Sequence, residues 1–228
     1  MTDGPRRRTV LAAMGWGAVT LGVNACTGDE ASEVSGGHAK SETVGRQACV
    51  LTPEDTEGPY YLDLDLVRSD ITEGKPGVPL TLRATVVDAE SCVPVEKAAL
   101  DIWHADADGV YSGFEAGSGE RFLRGVQLTD ASGIAEFSTI VPGWYASRTT
   151  HIHAKVYVGD DVVHTGQLYF ADSVIDAVAD VEPYARRRGQ RTTNDDDFLF
   201  PGGSASTLTV TGSPGAGYEA VITLGVRR

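Results

Sequence analysis

Leu80-Thr81-Leu82-Arg83-Ala84-Thr85-Val86 alternates apolar and polar residues without a break. Successive side chains on a strand point to opposite faces, so this stretch predicts a strand with one face in a core and the other toward water. Working outward, the same signal recurs. Ala98 to Ala105 ends in the turn-forming Asp106-Ala107-Asp108-Gly109, and Ile134 to Ile140 follows Asp130-Ala131-Ser132-Gly133. His151 to Val158 and Val162 to Phe170 flank Gly159-Asp160-Asp161, a hairpin signature, while Leu208 to Thr211 and Tyr218 to Val226 flank a Gly/Pro-rich turn. One helix is expected, over Ser173 to Val181, with Asp172 as its N-cap and Pro183 beyond its end. Short strands separated by turns predict an all-β fold: a single β-sandwich domain of mostly antiparallel strands with long loops and one short helix.

The chain has 228 residues and a formal net charge of −13, which argues against a nucleic-acid partner and against an anionic membrane surface. Residues 1–25 read as an export signal. Arg7-Arg8-Thr9-Val10-Leu11 resembles a twin-arginine signal, and the apolar run that ends at Val23 is too short to span a bilayer. Val23-Asn24-Ala25-Cys26 looks like a lipoprotein cleavage box, so Cys26 is the expected lipidation site; an ordinary secretory signal with an incidental cysteine is the alternative. Residues 26–47 hold scarcely an apolar side chain and are expected to form a flexible tether, leaving 48–228 as the folded domain. The expected location is outside the cytoplasm, with the membrane touched only through an N-terminal lipid. In that oxidising setting Cys49 and Cys92 form an even pair and are expected to be bridged, a closure worth about 4 kcal/mol on chain-entropy grounds.

Chemistry starts at His151-Ile152-His153. Residues two apart on a strand share a face, so both imidazoles can grip one ion, while Ile152, Ala154, Val156 and Val158 form the core side. The bland alternative for such a pair is a solvated polar face. A facial-triad iron(II) site needs a nearby carboxylate, and none occurs between His153 and Asp160; His104 and His164 leave a His-only, cupin-like site open. Tyrosine completes the set differently. Tyr111 lies beyond the Asp108-Gly109 turn and Tyr145 lies six residues before His151. A phenol titrates near 10, so phenolate ligands call for a strongly Lewis-acidic ion such as iron(III).

With these residues in view, the sequence resembles the intradiol ring-cleavage dioxygenases, the family of catechol, hydroxyquinol and protocatechuate dioxygenases. The likeness runs from Leu51-Thr52-Pro53-Glu54-Asp55-Thr56-Glu57-Gly58-Pro59-Tyr60-Tyr61 to the C-terminus. Its most specific stretches are Asp101-Ile102-Trp103-His104-Ala105-Asp106, Arg148-Thr149-Thr150-His151-Ile152-His153 and Gly166-Gln167-Leu168-Tyr169-Phe170. The resemblance implies Fe(3+) held by Tyr111, Tyr145, His151 and His153, with Tyr111 the equatorial and Tyr145 the axial tyrosinate. It implies that Arg148 and Gln167 act beside the substrate, and that Gly58, Pro59 and Tyr60 border the substrate pocket.

The implied reaction takes a small aromatic diol and O2 to a muconic acid. Tyr145 would leave the metal to accept a catechol proton, and Arg148 would stabilise the negative charge that develops on the ring. The loop between Tyr145 and His151 is shorter than in the intracellular members, which implies a more open site. Their N-terminal helical dimerisation segment has no counterpart here, so no oligomeric state carries over. The export signal and cysteine pair resemble the secreted branch. The competing reading, a secreted β-sandwich binding module, gives no reason for Tyr, Tyr, Arg, His, His and Gln to occur in this order.

Overall fold

A computed structural model describes residues 49–145, 147–187 and 190–228. The export signal, Cys26 and the tether lie outside the described residues. Among the described residues, eight strands form two four-stranded sheets. Strands β1 (Pro79–Asp88), β4 (Ile134–Ile140), β7 (Thr209–Ser213) and β8 (Gly217–Val226) make one, in the order β4-β1-β8-β7. Strands β2 (Ala99–Trp103), β3 (Arg124–Leu128), β5 (His151–Val158) and β6 (Asp161–Tyr169) make the other, in the order β3-β2-β5-β6. Every pairing is antiparallel except β1 with β8.

The alternation that predicts β1 also explains its place. Leu80, Leu82, Ala84 and Val86 are buried, and in register with them β8 turns Tyr218, Ala220, Ile222 and Leu224 to the same side. The second sheet answers with Leu100, Ile102, Ile152, Ala154, Val156 and Leu168, and the two faces close one apolar core. Each large aliphatic side chain sealed there contributes roughly 1.5–3 kcal/mol.

Two details depart from the sequence reading. Strand β3, RGVQL, shows no clean alternation, because Arg124 is buried beside Gly125. Ile71 and Arg68 sit so close over Gly125 that a Cβ there would stand 2.6 Å from the Ile71 side chain. The helix α1 runs Asp172–Ala179, and Asp172 is not its N-cap. Ala171 holds that place with no side-chain cap bond, while the Asp172 carboxylate accepts from Arg191 Nη1 at 2.8 Å and from the Asn194 amide. A distant cation outcompetes the local amides for that carboxylate. Near the start of the described domain, Cys49 and Cys92 are joined by a disulfide with their Cα atoms 5.2 Å apart.

Candidate metal centre

The register of the second sheet aligns Arg124, Trp103, His153 and Gln167 in one row across all four strands, with His151 opposite Tyr169 two residues along. The histidine face of β5 is therefore not solvated: His151 and His153 are 2% and 1% exposed. The Trp103 ring lies parallel to His153 at 4.9 Å, part of a second, smaller cluster of aromatic side chains that includes Tyr111, Tyr60 and Tyr145.

Two loops bring the tyrosines over this face. Asp106 accepts from the Asp108 and Val110 amides at 3.0 and 2.9 Å, which folds the turn before Tyr111. Arg187 then ties that turn to the loop of Tyr145, donating to the Ala107 carbonyl at 2.6 Å and to the Trp144 carbonyl. The result is a closed set of donor atoms. Tyr111 Oη is 3.1 Å from His153 Nε2, Tyr145 Oη is 3.1 Å from His151 Nε2, and the two Nε2 atoms are 3.2 Å apart. Ligands that each sit about 2.0–2.1 Å from one ion are spaced about 3 Å from one another.

The tautomer fits as well. The Thr149 carbonyl can only accept, so His151 Nδ1–H donates to it at 2.7 Å and the Nε2 lone pair faces the tyrosines. Burial, with the Arg148 charge adding to it, pushes His151 down to about 3, and burial with the neighbouring His151 and Arg148 holds His153 well below its ordinary value. Both imidazoles are thus neutral donors. Burial also pushes the Tyr111 and Tyr145 phenols above their usual 10. Two neutral imidazoles and two reluctant phenols fit a strongly polarising trivalent cation better than a softer divalent one. Among the described residues no group of three or more His, Cys, Asp or Glu side chains converges. His104 is engaged by the Ala105 carbonyl at 2.8 Å and Thr139 Oγ1 at 2.7 Å, and His164 packs its ring edge against Gly166. Neither joins the set.

Arg148 and Gln167 meet directly beside it. Arg148 Nη2 donates to Gln167 Oε1, and Gln167 Nε2 donates to the Thr56 carbonyl at 3.1 Å. Burial opposes the guanidinium charge, but the Asp197 hydrogen bond and the neighbouring Tyr145 outweigh it and raise the Arg148 pKa. Of the three pocket-bordering residues expected, Gly58 takes φ +72° with its Cα facing the His153 ring, where a Cβ would stand 3.1 Å from Cε1. Tyr60 stacks on Tyr111 at 4.3 Å and 13°, and Pro59 is exposed. Asp197, Arg187 and the Trp103 stack escape a reading of the sequence. Asp197 ends the run Asn194-Asp195-Asp196-Asp197, to which the sequence reading assigned no role, and Trp103 entered it as part of a strand and of a family stretch, without a place at the site.

Residues 56–188, more than half of the chain, match the family model described as dioxygenase. Catechol 1,2-dioxygenase 1 of Acinetobacter lwoffii is 36% identical over 101 residues, 41% of this chain and 32% of that protein. Chlorocatechol 1,2-dioxygenase of Cupriavidus pinatubonensis is 30% identical over 138 residues, 50% of this chain and 52% of that one. The chain spans about half or less of the length of these curated relatives. Among solved structures, an intradiol ring-cleavage dioxygenase from Tetranychus urticae superposes with a TM-score of 0.75 at 33% identity, covering 78% of this chain and 95% of that one. Hydroxyquinol 1,2-dioxygenase from Pseudomonas putida, at 19% identity and a TM-score of 0.60, shares the fold. Sequence match and superposition cover the same folded region, and by them this chain belongs to the intradiol ring-cleavage dioxygenase family.

Proposed function

We propose that the protein is an iron(III)-dependent intradiol dioxygenase that cleaves a catechol-type ring with O2 and releases a muconic acid. The observation that carries this reading is the closed set of two phenol oxygens and two imidazole nitrogens beside a buried, charged arginine. Iron(III) held by Tyr111, Tyr145, His151 and His153 would supply the Lewis acidity that favours the ionised diol, whose own phenolate oxygens make its ring reactive toward O2.

The chain's own residues do the rest. Tyr145 is the less buried phenol of the two, so it is the one placed to take up a proton from an arriving diol. Tyr111, packed under Tyr60, is the one to stay in place. Arg148 offers a fixed positive charge to the anion that develops on the ring, and Gln167 holds its Nη2. Trp103 and Gly58 bound the His153 ring on its face and its edge, which fixes the direction of Nε2. The aromatic cluster keeps bulk water from the donor atoms.

The proposal extends to location. Arg7-Arg8, the apolar run to Val23 and the cleavage box at Cys26 support export, with a lipid-anchored protein outside the cytoplasm. One experiment tests the central claim. The purified protein should carry about one iron per chain, show a visible tyrosinate charge-transfer band, and convert catechol and O2 to a ring-opened dicarboxylate. A colourless protein with stoichiometric zinc sinks it and favours another metalloenzyme, and a metal-free protein favours a binding module.

A further inference from the structure

Asp197 is a fully buried carboxylate near the site: its side chain has no exposed surface. Oδ2 accepts from Arg148 Nε at 2.9 Å and from the Thr149 amide at 2.9 Å. Oδ1 accepts from the Leu199 amide at 3.0 Å. The segment is anchored a second time by Asn194, whose Oδ1 accepts from Thr149 Oγ1 at 2.7 Å and whose Nδ2 donates to the Phe170 carbonyl at 2.9 Å. Arg148 is itself only 12% exposed at its side chain. A buried guanidinium without a counter-charge is strongly unfavourable and would swing to water. With Nε on Asp197 and Nη2 on Gln167, two of the three guanidinium nitrogens are held and its plane is fixed.

Resting on the functional reading above, we infer that Asp197 is the positioning residue for Arg148: it holds the guanidinium inward and aimed at the bound diol. Asp197 bonds none of the four donor atoms; besides Arg148 its hydrogen bonds go to the Thr149 and Leu199 amides, and Arg148 is the only side chain among these partners.

The test compares Asp197→Asn, Asp197→Glu, Arg148→Ala and the double variant Arg148→Ala/Asp197→Asn in the full chain, with Asp195→Asn as a neutral neighbour. Asp197→Asn should keep its iron, its visible band and its KM for catechol while kcat falls by about tenfold to a hundredfold. Asp197→Glu, which keeps the charge, should recover part of that loss. In the double variant the second substitution should add little, because the residue it would act through is already gone. A readout independent of turnover is the Nε–H signal of Arg148 in protein loaded with diamagnetic gallium(III). It should be protected from solvent exchange in the parent and lose that protection in Asp197→Asn. Full turnover in Asp197→Asn overturns the inference, and so does loss of iron or a loss additive to that of Arg148→Ala. Band and turnover in the parent protein test the functional reading by themselves, so a failure there is distinct from a failure confined to the variants.

Discussion

Strand β5 has two buried faces that do different work. On one, Ile152, Ala154 and Val156 vanish into the core between the sheets; on the other, His151 and His153 are equally hidden under an aromatic lid. The first face is apolar throughout and needs nothing but density. The second gathers polar atoms at mutual distances of 3.1–3.2 Å and leaves His153 Nδ1 without a hydrogen-bond partner. Buried polar groups normally find partners, and a buried face of facing donors is chemically suited to a cation. Burial alone says little about role; what the buried atoms can bond to says more.

The sharpest way to break this contrast is to empty each face in turn. His153→Ala should abolish iron binding and turnover, yet cost the metal-free fold less than a core deletion does. Iron analysis and denaturant unfolding in chelator check both halves, and equal destabilisation by His153→Ala and Ile152→Ala would erase the distinction. Arg148→Ala should retain iron and colour while turnover falls roughly 10²–10³-fold; loss of iron would make the arginine a structural element of the site. Ile152→Ala should cost about 2–5 kcal/mol of stability through the cavity it leaves, with the visible spectrum and KM unchanged well below its Tm.

Smaller effects sharpen the picture within the polar face. Tyr145→Phe should keep a tyrosinate band in the catechol complex and turn over slowly, whereas Tyr111→Phe should lose most of the band once catechol is added. Identical spectra would show that the deeper and shallower phenols do not divide the work. A pH effect, away from the donor atoms, lies on the same side of the sheet. Burial raises the Asp101 carboxyl to about 7, against the Tyr61 hydrogen bond and the Arg124 charge. In the unfolded chain it titrates near about 3.9, so the folded state holds a proton that the unfolded state has released. Stability should therefore fall as pH rises from about 4 to about 7. Asp101→Asn should flatten that part of a Tm–pH profile; an unchanged slope refutes the assignment.

Much of the fold was legible because its signals are local. The alternation in Leu80–Val86 and Tyr218–Val226 follows from a period-two geometry that each strand carries by itself, and the Asp-Gly turns mark the ends. The pair His151 and His153 was legible for the same reason, since two residues apart on a strand means one face. The family stretches extended this to Tyr111, Tyr145, Arg148 and Gln167, and the structure brings these side chains together. Strand β3 was not legible, because a buried arginine and a glycine hide its period. The helix cap was misassigned because Asp172 bonds to Arg191, a partner that propensity cannot see.

By itself, then, the sequence determined the sandwich class, the core face of β5 and the identity of the residues with chemistry to offer. Only the tertiary structure decided that both faces of β5 are buried, that Trp103 lies flat on His153, and that Arg187 fastens the two tyrosine loops. It alone turned an acidic run without an assigned role into the inward Asp197, 49 residues from the arginine it holds. The physical reason is one of range. Periodicity and turn chemistry act between neighbours and are written in order along the chain, whereas a buried ion pair is chosen by desolvation, which depends on every element packed around it.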